Sequence, residues 1–527
     1  MPQKRAAYAA EAGCLMPQKR AAYAAETGCL CRRNGLPDAA PTEIKQIFNF
    51  WRLKFFMNVN NELTKQIDSW FQRNDLKFRS DLEKLIAINS VRGPEEEGMP
   101  YGRASFEALE TAKKMLNENG VEAENFENIV ITADFVDAPP VIGVLAHLDI
   151  VAAGEGWDYD PFELTIDEGR YYGRGVIDNK GPAVAAMYAM YCARELCPDL
   201  KHGYRLILGS GEETGCLDIK EYLKKNDPPP NVFSPDSDFP IVNVEKGRLL
   251  LMFKASWSED TASPRILEIH GGETPNVVPN VCEAVIEGIS LSDVEAFCKK
   301  YSAETGAEIS AREVGDTVII TSKGKASHAC YPESGLNAQT ALVKMLSAMP
   351  FAESKGFEYI RALNDLMPHG DYIGQALGLK MSDEISGNLT LNFGVLNYSA
   401  TEMSGNFDSR TPLCADDIDI FGNTKAKFEA KGFEVTSGEL VKCHVTDENT
   451  PFVQTLARVY EKYTGNKGEC MAIGGSTYVH GIPGGVVFGC RMPGENNNLH
   501  GPNENISIEH LMMSAKMFTE VIIEMCG

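Results

Sequence analysis

Five short stretches of this chain carry side chains suited to metal chemistry. In VIGVLAHLDIV, His147 and Asp149 stand two apart at the end of an apolar run. In extended backbone, residues i and i+2 point to the same side, so an imidazole and a carboxylate can share one site at the carboxyl edge of a sheet. A carboxylate beside a metal-bound imidazole sets its orientation. In GRGVIDNKGP, Asp178 occupies a glycine-rich turn that opens a helix. Such a turn can cradle phosphate, but the spacing matches neither G-x-G-x-x-G nor the Walker pattern, and an aspartate there repels an anion. A bound cation reverses that objection.

In LILGSGEETG, Glu212 and Glu213 follow a strand. Two adjacent ionised carboxylates in a partly dry cleft repel each other unless a dication compensates. Adjacent side chains diverge in a turn, so one can bind the ion while the other reaches a water beside it. Asp236 in VFSPDSDFP and His500 in ENNNLHGPNE complete the group. His147, Asp178, Glu213, Asp236 and His500 thus form a set of two imidazoles and three carboxylates, each at a strand end or in the loop after it. One carboxylate bridging two ions, with one His and one carboxylate on each, makes two nitrogen/oxygen sites with open positions. Such ligands suit zinc first, and with this much oxygen also manganese or cobalt.

The elements that must position these residues are legible in the hydrophobic periodicity. Asn61 to Asn89 and Ser105 to Asn119 have the three- and four-residue spacing of amphipathic helices. Strand-like runs follow at Ile129–Phe135 and Val141–His147, then a small-residue helix at Gly181–Leu196 and the strand Arg205–Leu208. This alternation predicts an α/β fold, a central mixed sheet flanked by helices. From about residue 246 the texture changes. RLLLMFKA, RILEIHGG, TVIITSKG and NLTLNFGVLNYSA read as strands, interleaved with helices at Ser292–Thr305, Asn337–Ala348 and Asp417–Lys431. That is an α+β insertion. After about residue 445 a helix at Thr450–Tyr463, a strand at Gly485–Phe488 and a helix from Ile508 complete the first sheet. The predicted organisation is a catalytic domain of residues 57–245 plus 445–527, with a lid domain of residues 246–444 inserted in it.

Composition narrows the function classes. The chain has 527 residues, 43% hydrophobic and 24% charged, so it is globular rather than disordered. With 50 Lys+Arg against 74 Asp+Glu the net charge is -24, which argues against nucleic-acid binding as the main activity. No apolar stretch is long enough to span a membrane. The 14 cysteines are scattered without a CxxC pair and without a secretory leader, which predicts free thiols in a reducing cytoplasm. Residues 1–15 recur as residues 16–30 with a single difference, Ala12 against Thr27. Two such units cannot bury a core. Residues 1–56 hold nine Lys/Arg against four Asp/Glu, opposite in sign to the rest. They are expected to be a non-native or disordered extension, with Met57 the natural start.

The ordered motifs HLDIV, GRGVIDNKGP, GSGEETG, SPDSDFP and NNLHGPNE resemble those of the co-catalytic dimetal metallopeptidases of the aminoacylase/carboxypeptidase G type, metallopeptidase family twenty, in their dipeptidase V or Xaa-His dipeptidase branch. The resemblance covers residues 57–527. It implies that Asp178 bridges two divalent ions, that His147 and Asp236 complete one site, and that Glu213 and His500 complete the other. It also implies Glu212 as general base and Asp149 as the residue that tunes His147. In the insertion it implies Asn276, in TPNVVPN, and His328, in KGKASHACYPE, as substrate contacts, His328 near the scissile carbonyl. Arg410 in FDSRTP is the implied carboxylate anchor, an Arg fork being the natural partner of a peptide C-terminus. Gly474, Gly475 and Ser476 in IGGSTY offer backbone and hydroxyl contacts.

Two positions depart from the pattern. Asn179 stands where relatives often carry a second Asp, a mild change expected, and His480 stands where this branch often carries Arg, which bears on substrate preference. His202, His270, His369, His444 and His510 match no motif. The function implied is hydrolysis of dipeptides by a monomer. An N-acyl-amino-acid amidohydrolase would share the metal site and differ only in the lid. A non-catalytic metal- or peptide-binding protein is disfavoured because all five ligands and the Glu base are present.

Overall fold

The computed structural model describes residues 42–259 and 261–527, with side chains from Glu62 onward. The chain divides into two units, Met1–Ser69 and Trp70–Gly527. Of the expected extension, residues 1–41 lie outside the described residues. The first unit is described only through its part of the helix Thr42–Ile86. That helix begins well before the expected Asn61. Its 45 residues contain neither Gly nor Pro, so no breaker interrupts it.

The second unit is built on two sheets. The first runs in the order Ala123–Phe126, Val130–Asp134, Gly203–Gly209, Pro140–His147, Asn231–Ser234, Gly485–Val487, Ile241–Glu245 and His444–Val445, with Cys470–Ile473 also paired to Ile241–Glu245. Its centre is parallel: Pro140–His147 pairs with Gly203–Gly209 on one side and Asn231–Ser234 on the other, and the latter with Gly485–Val487. Its margins are antiparallel, so the sheet is mixed as expected. Parallel strands point their carboxyl ends the same way, and those of the central strands carry His147, the Glu212–Glu213 turn and the Asp236 segment to one edge. The helix Lys180–Leu196 is buried on every side through Ala193, which its run of Ala, Met, Val and Tyr dictates. It packs against the C-terminal helix Ile508–Cys526.

The second sheet is antiparallel and uses only residues 247–441, in the order Glu308–Val314, Thr317–Lys323, Val281–Glu287, Arg265–Gly271, Thr390–Tyr398, Glu402–Thr411, Gly247–Ser256 and Glu434–Val441. Burial alternates along Val281–Glu287 and most of Gly247–Ser256, the mark of one packed and one open face. Leu249, Leu251, Phe253, Ile286 and Ile320 share a core with Leu342, Ile360 and Phe428 from its helices. The helix Lys355–Leu366, capped by Ser354, is an element the periodicity left out. The chain leaves the first sheet after Glu245 and returns at His444. His480 sits at both crossings, its Nδ1 2.9 Å from Glu245 Oε2 and its Nε2 2.9 Å from the Lys442 carbonyl. All cysteines among the described residues are free thiols. No helix among them is long and apolar enough to cross a membrane.

Candidate metal centre

Asp178 lies between the two predicted imidazoles. Its Oδ1 is 3.0 Å from His147 Nε2 and its Oδ2 is 2.8 Å from His500 Nε2. His147 Nε2 is also 3.6 Å from Asp236 Oδ2, and His500 Nε2 is 3.4 Å from Glu213 Oε1. His147, Glu212 and Asp236 offer ligand atoms within 4.8 Å of one another, and so do His147, Asp178 and Glu213. His147 is wholly buried, whereas the His500 side chain is about half exposed, so the site opens to solvent on that side.

Charges are crowded here. Burial raises the Glu213 carboxyl to about 7, with Asp178 adding to it, and Asp236 to about 6 against the pull of His147. Glu212 is pushed well above the carboxylate range by burial and by Asp236. Asp178 goes the other way: burial opposes ionisation, but hydrogen bonds to His147 and His500 keep it far below its ordinary value. Burial would lower His500, yet Asp178 and Glu213 lift it to about 11. Glu213 Oε1 is buried with only the His500 ring, 3.4 Å away, beside it. Four clustered carboxylates and two imidazoles on a shared aspartate fit a pair of divalent cations, which would supply the missing positive charge.

Neighbouring groups hold these side chains in place. Asp149 Oδ1 accepts the backbone N–H of Glu212 at 3.2 Å and Oδ2 that of Glu213 at 3.1 Å. Its contact with His147 is looser, 3.4 Å from Oδ1 to Nδ1, while its own carbonyl is 3.0 Å from that nitrogen. Buried Asp218 takes the preceding amides, Ser210 at 2.7 Å and Gly211 at 2.9 Å, and accepts the hydroxyl of Tyr478. Four successive amides of the Glu212–Glu213 turn therefore rest on two carboxylates. Glu504 accepts from the amides of Gly175 and Ile177 at 3.0 Å and of Asp178 at 3.3 Å. Its Oε2 receives Arg174 Nη1 at 2.6 Å in a fully buried pair. Arg174 also donates to the Gly501 carbonyl at 3.1 Å, tying the Asp178 turn to the His500 loop. Asn179 is engaged beside the site: its Nδ2 donates to Asp236 Oδ1 and to the Pro235 carbonyl, each at 3.0 Å.

The predicted substrate residues gather as well. Asn276 accepts the Ala329 N–H through its carbonyl at 2.8 Å, and Val277 pairs with His328. The charge of His500 bears on His328. Arg410 is 5% exposed and already engaged: Nε and Nη2 reach Asp408 at 2.7 and 3.2 Å, and Nη1 reaches the Gly474 carbonyl at 2.9 Å. A Cβ on Gly474 would meet Cys330 at 2.9 Å, so this approach needs glycine. Gly475 is half-buried and Ser476 exposed. His480, held at the crossings, is no part of the cluster. Sequence reasoning missed Glu504, Arg174, Asp218, Tyr478 and Asp408. All five lie inside or beside the quoted motifs, where position along the chain gave them no assigned partner.

The chain is similar to known peptidases over most of its length. Residues 143–524 match the profile of "Peptidase family M20/M25/M40". The Beta-Ala-Xaa dipeptidase of Lactobacillus delbrueckii subsp. lactis is 33% identical over 451 residues, covering 84% of this chain and 95% of that protein. Human carnosine dipeptidase 1 shares the fold at a TM-score of 0.53 and 16% identity, over 87% of this chain and 98% of that one. The di-peptidase Dug1p from Saccharomyces cerevisiae does so at 0.52 and 16%, over 88% and 98%. The profile spans most of the chain and the Lactobacillus relative nearly its full length, and the chain belongs to the M20/M25/M40 peptidase family.

Proposed function

We propose that this chain is a dipeptidase that hydrolyses short peptides at a two-cation centre. The observation that carries the reading is Asp178, set between His147 and His500 with Asp236 and Glu213 beside them. Asp178 would bridge the two ions, His147 and Asp236 holding one and Glu213 and His500 the other. Zinc is the first choice, and manganese or cobalt suits the same oxygen-rich donors. When bound, such ions lower the pKa of water and polarise a carbonyl.

The chain's own groups supply the rest. Glu212 takes a proton from the attacking water and passes it to the leaving amine. Asp149 keeps the Glu212 turn in place. His328 donates to the developing oxyanion, and Arg410 with the Gly474–Ser476 loop receives the peptide's C-terminal carboxylate. Residues 246–444 act as the lid over residues 57–245 and 445–527, and closure admits only short peptides. The free thiols among the described residues suit a cytoplasmic enzyme.

The test is a panel of dipeptides and of acetyl- and succinyl-amino acids, offered to protein loaded separately with zinc, manganese and cobalt. Dipeptide turnover is expected. Turnover of the acylated amino acids alone makes the enzyme an amidohydrolase, and inactivity of a fully loaded preparation on the whole panel makes it a binding protein.

A further inference from the structure

Arg248 and Arg410 face each other directly on neighbouring antiparallel strands. Like charges so placed repel, and one fully buried carboxylate serves both. Asp408 receives Arg248 Nε at 2.8 Å and Nη2 at 2.7 Å, along with Arg410 Nε at 2.7 Å and Nη2 at 3.2 Å. Two guanidinium groups on one carboxylate leave a net positive charge.

The two arginines are not equivalent. Arg410 is sunk between Asp408 and the Gly474 carbonyl. The Arg248 side chain is 32% exposed, and its Nη1 makes no hydrogen bond among the described residues. Its charge reaches the cleft: Arg248 and Arg410 both hold down the titration of His328, which also feels His500. A guanidinium with a free edge, beside a cleft that takes peptides, is a binding group awaiting an anion.

We propose that Arg248 binds the side-chain carboxylate of an acidic C-terminal residue, so that Xaa-Glu and Xaa-Asp dipeptides are preferred substrates. The proposal rests on the dipeptidase reading above. Both guanidinium groups rest on the one carboxylate of Asp408, close enough together for the two carboxylates of a single Asp or Glu residue to reach both. One would take the Arg410 side and the other Arg248. In a chain of net charge -24, an acidic substrate needs such a local cation.

The experiment compares Ala-Glu with Ala-Gln on the metal-loaded enzyme, its Arg248→Met variant and its Arg248→Lys variant. Met keeps the apolar stem, and Asp408 keeps Arg410 as partner. The wild type should favour Ala-Glu by about tenfold in kcat/KM, chiefly through KM, as one charge-assisted hydrogen bond warrants. Arg248→Met should erase the preference with Ala-Gln turnover nearly unchanged, and Arg248→Lys should restore part of it. Calorimetric titration of free glutamate against free glutamine should show the same discrimination without turnover. Equal losses on both substrates assign Arg248 to the α-carboxylate or to packing and overturn the proposal, as does a wild type that cleaves both alike. An enzyme that cleaves neither substrate removes the dipeptidase reading and this one with it.

Discussion

The carboxylate of Asp149 accepts the backbone N–H of Glu213 at 3.1 Å, and its other oxygen accepts that of Glu212 at 3.2 Å. Asp149 was expected to orient or tune His147, and its Oδ1 lies 3.4 Å from that ring. Its closer contacts fix the turn that carries the proposed base and one proposed ligand. An anion holding two successive amides leaves both glutamate side chains free to face the cations, so the proton acceptor and the metal site are positioned by one group.

Glu212→Gln removes the proton acceptor and keeps the side chain's size. Turnover should fall by about a hundredfold to ten-thousandfold, the usual span of general-base catalysis, while two equivalents of metal remain bound. Single-turnover kinetics with metal analysis of the same sample decide it, and near-normal turnover would refute the assignment.

Glu504→Ala leaves the Arg174 guanidinium buried without its partner and strips the Asp178 turn of its acceptor. A loss of about 3–5 kcal/mol is expected in urea unfolding. Glu504→Gln should be milder, since an amide oxygen still accepts from the turn. If the two variants unfold alike, the charge opposite Arg174, and not the oxygen that accepts from the turn, is what holds this loop.

Asn179→Asp replaces the donor facing Asp236 Oδ1 and the Pro235 carbonyl with an acceptor. Metal-free protein should lose about 1–3 kcal/mol, and saturating manganese should recover part of it by offsetting the added charge. Thermal melts with and without the ion test this; an equal loss in both contradicts it.

Burial lowers His328, and the neighbouring Arg410 charge adds to it, so that its imidazole titrates at about 4 rather than 6.5. The folded value lies below the unfolded one, so proton uptake by His328 opposes the folded state. That penalty is absent above the unfolded value, grows as pH falls and is complete below the folded one. At about pH 5 to 8 the ring is neutral, with an N–H to offer an oxyanion. His328→Gln should lower kcat about a hundredfold without changing the shape of the pH–rate profile over that range. A limb near neutral pH that disappears in the variant would show instead that His328 acts as a cation.

A chain beginning at Met57 should keep its kcat/KM on dipeptides, because every residue of the proposed site lies beyond it. A loss of about tenfold or more, well beyond the effect of a typical surface change, would assign the earlier residues a part in the enzyme.

The first sheet was legible because Val141–Ala146 and Leu206–Leu208 are runs without a polar side chain, as buried parallel strands require. The helices Leu291–Thr305, Ala338–Ser347 and Pro451–Thr464 lie within a residue or so of their expected limits, each opened by a Ser, Asn or Thr cap. Val281–Glu287 and Glu434–Val441 went unread: the first is short and has Glu283 and Glu287 among its apolar residues, and the second is an edge strand exposed over nearly its whole length, leaving no apolar pattern.

What the sequence by itself determined was the set of donors and their order, because each sits in a short local motif whose chemistry needs only its own neighbours. Tertiary structure decided the pairings. Asp178 meets His500 across 322 residues and Arg174 meets Glu504 across 330, and no local pattern encodes which oxygen faces which nitrogen. It also decided that Asn179 serves Asp236 and that His480 stays at the sheet crossings. Those outcomes depend on strand ends converging at one edge, and burial there makes each polar group find a partner or stay charged at a cost.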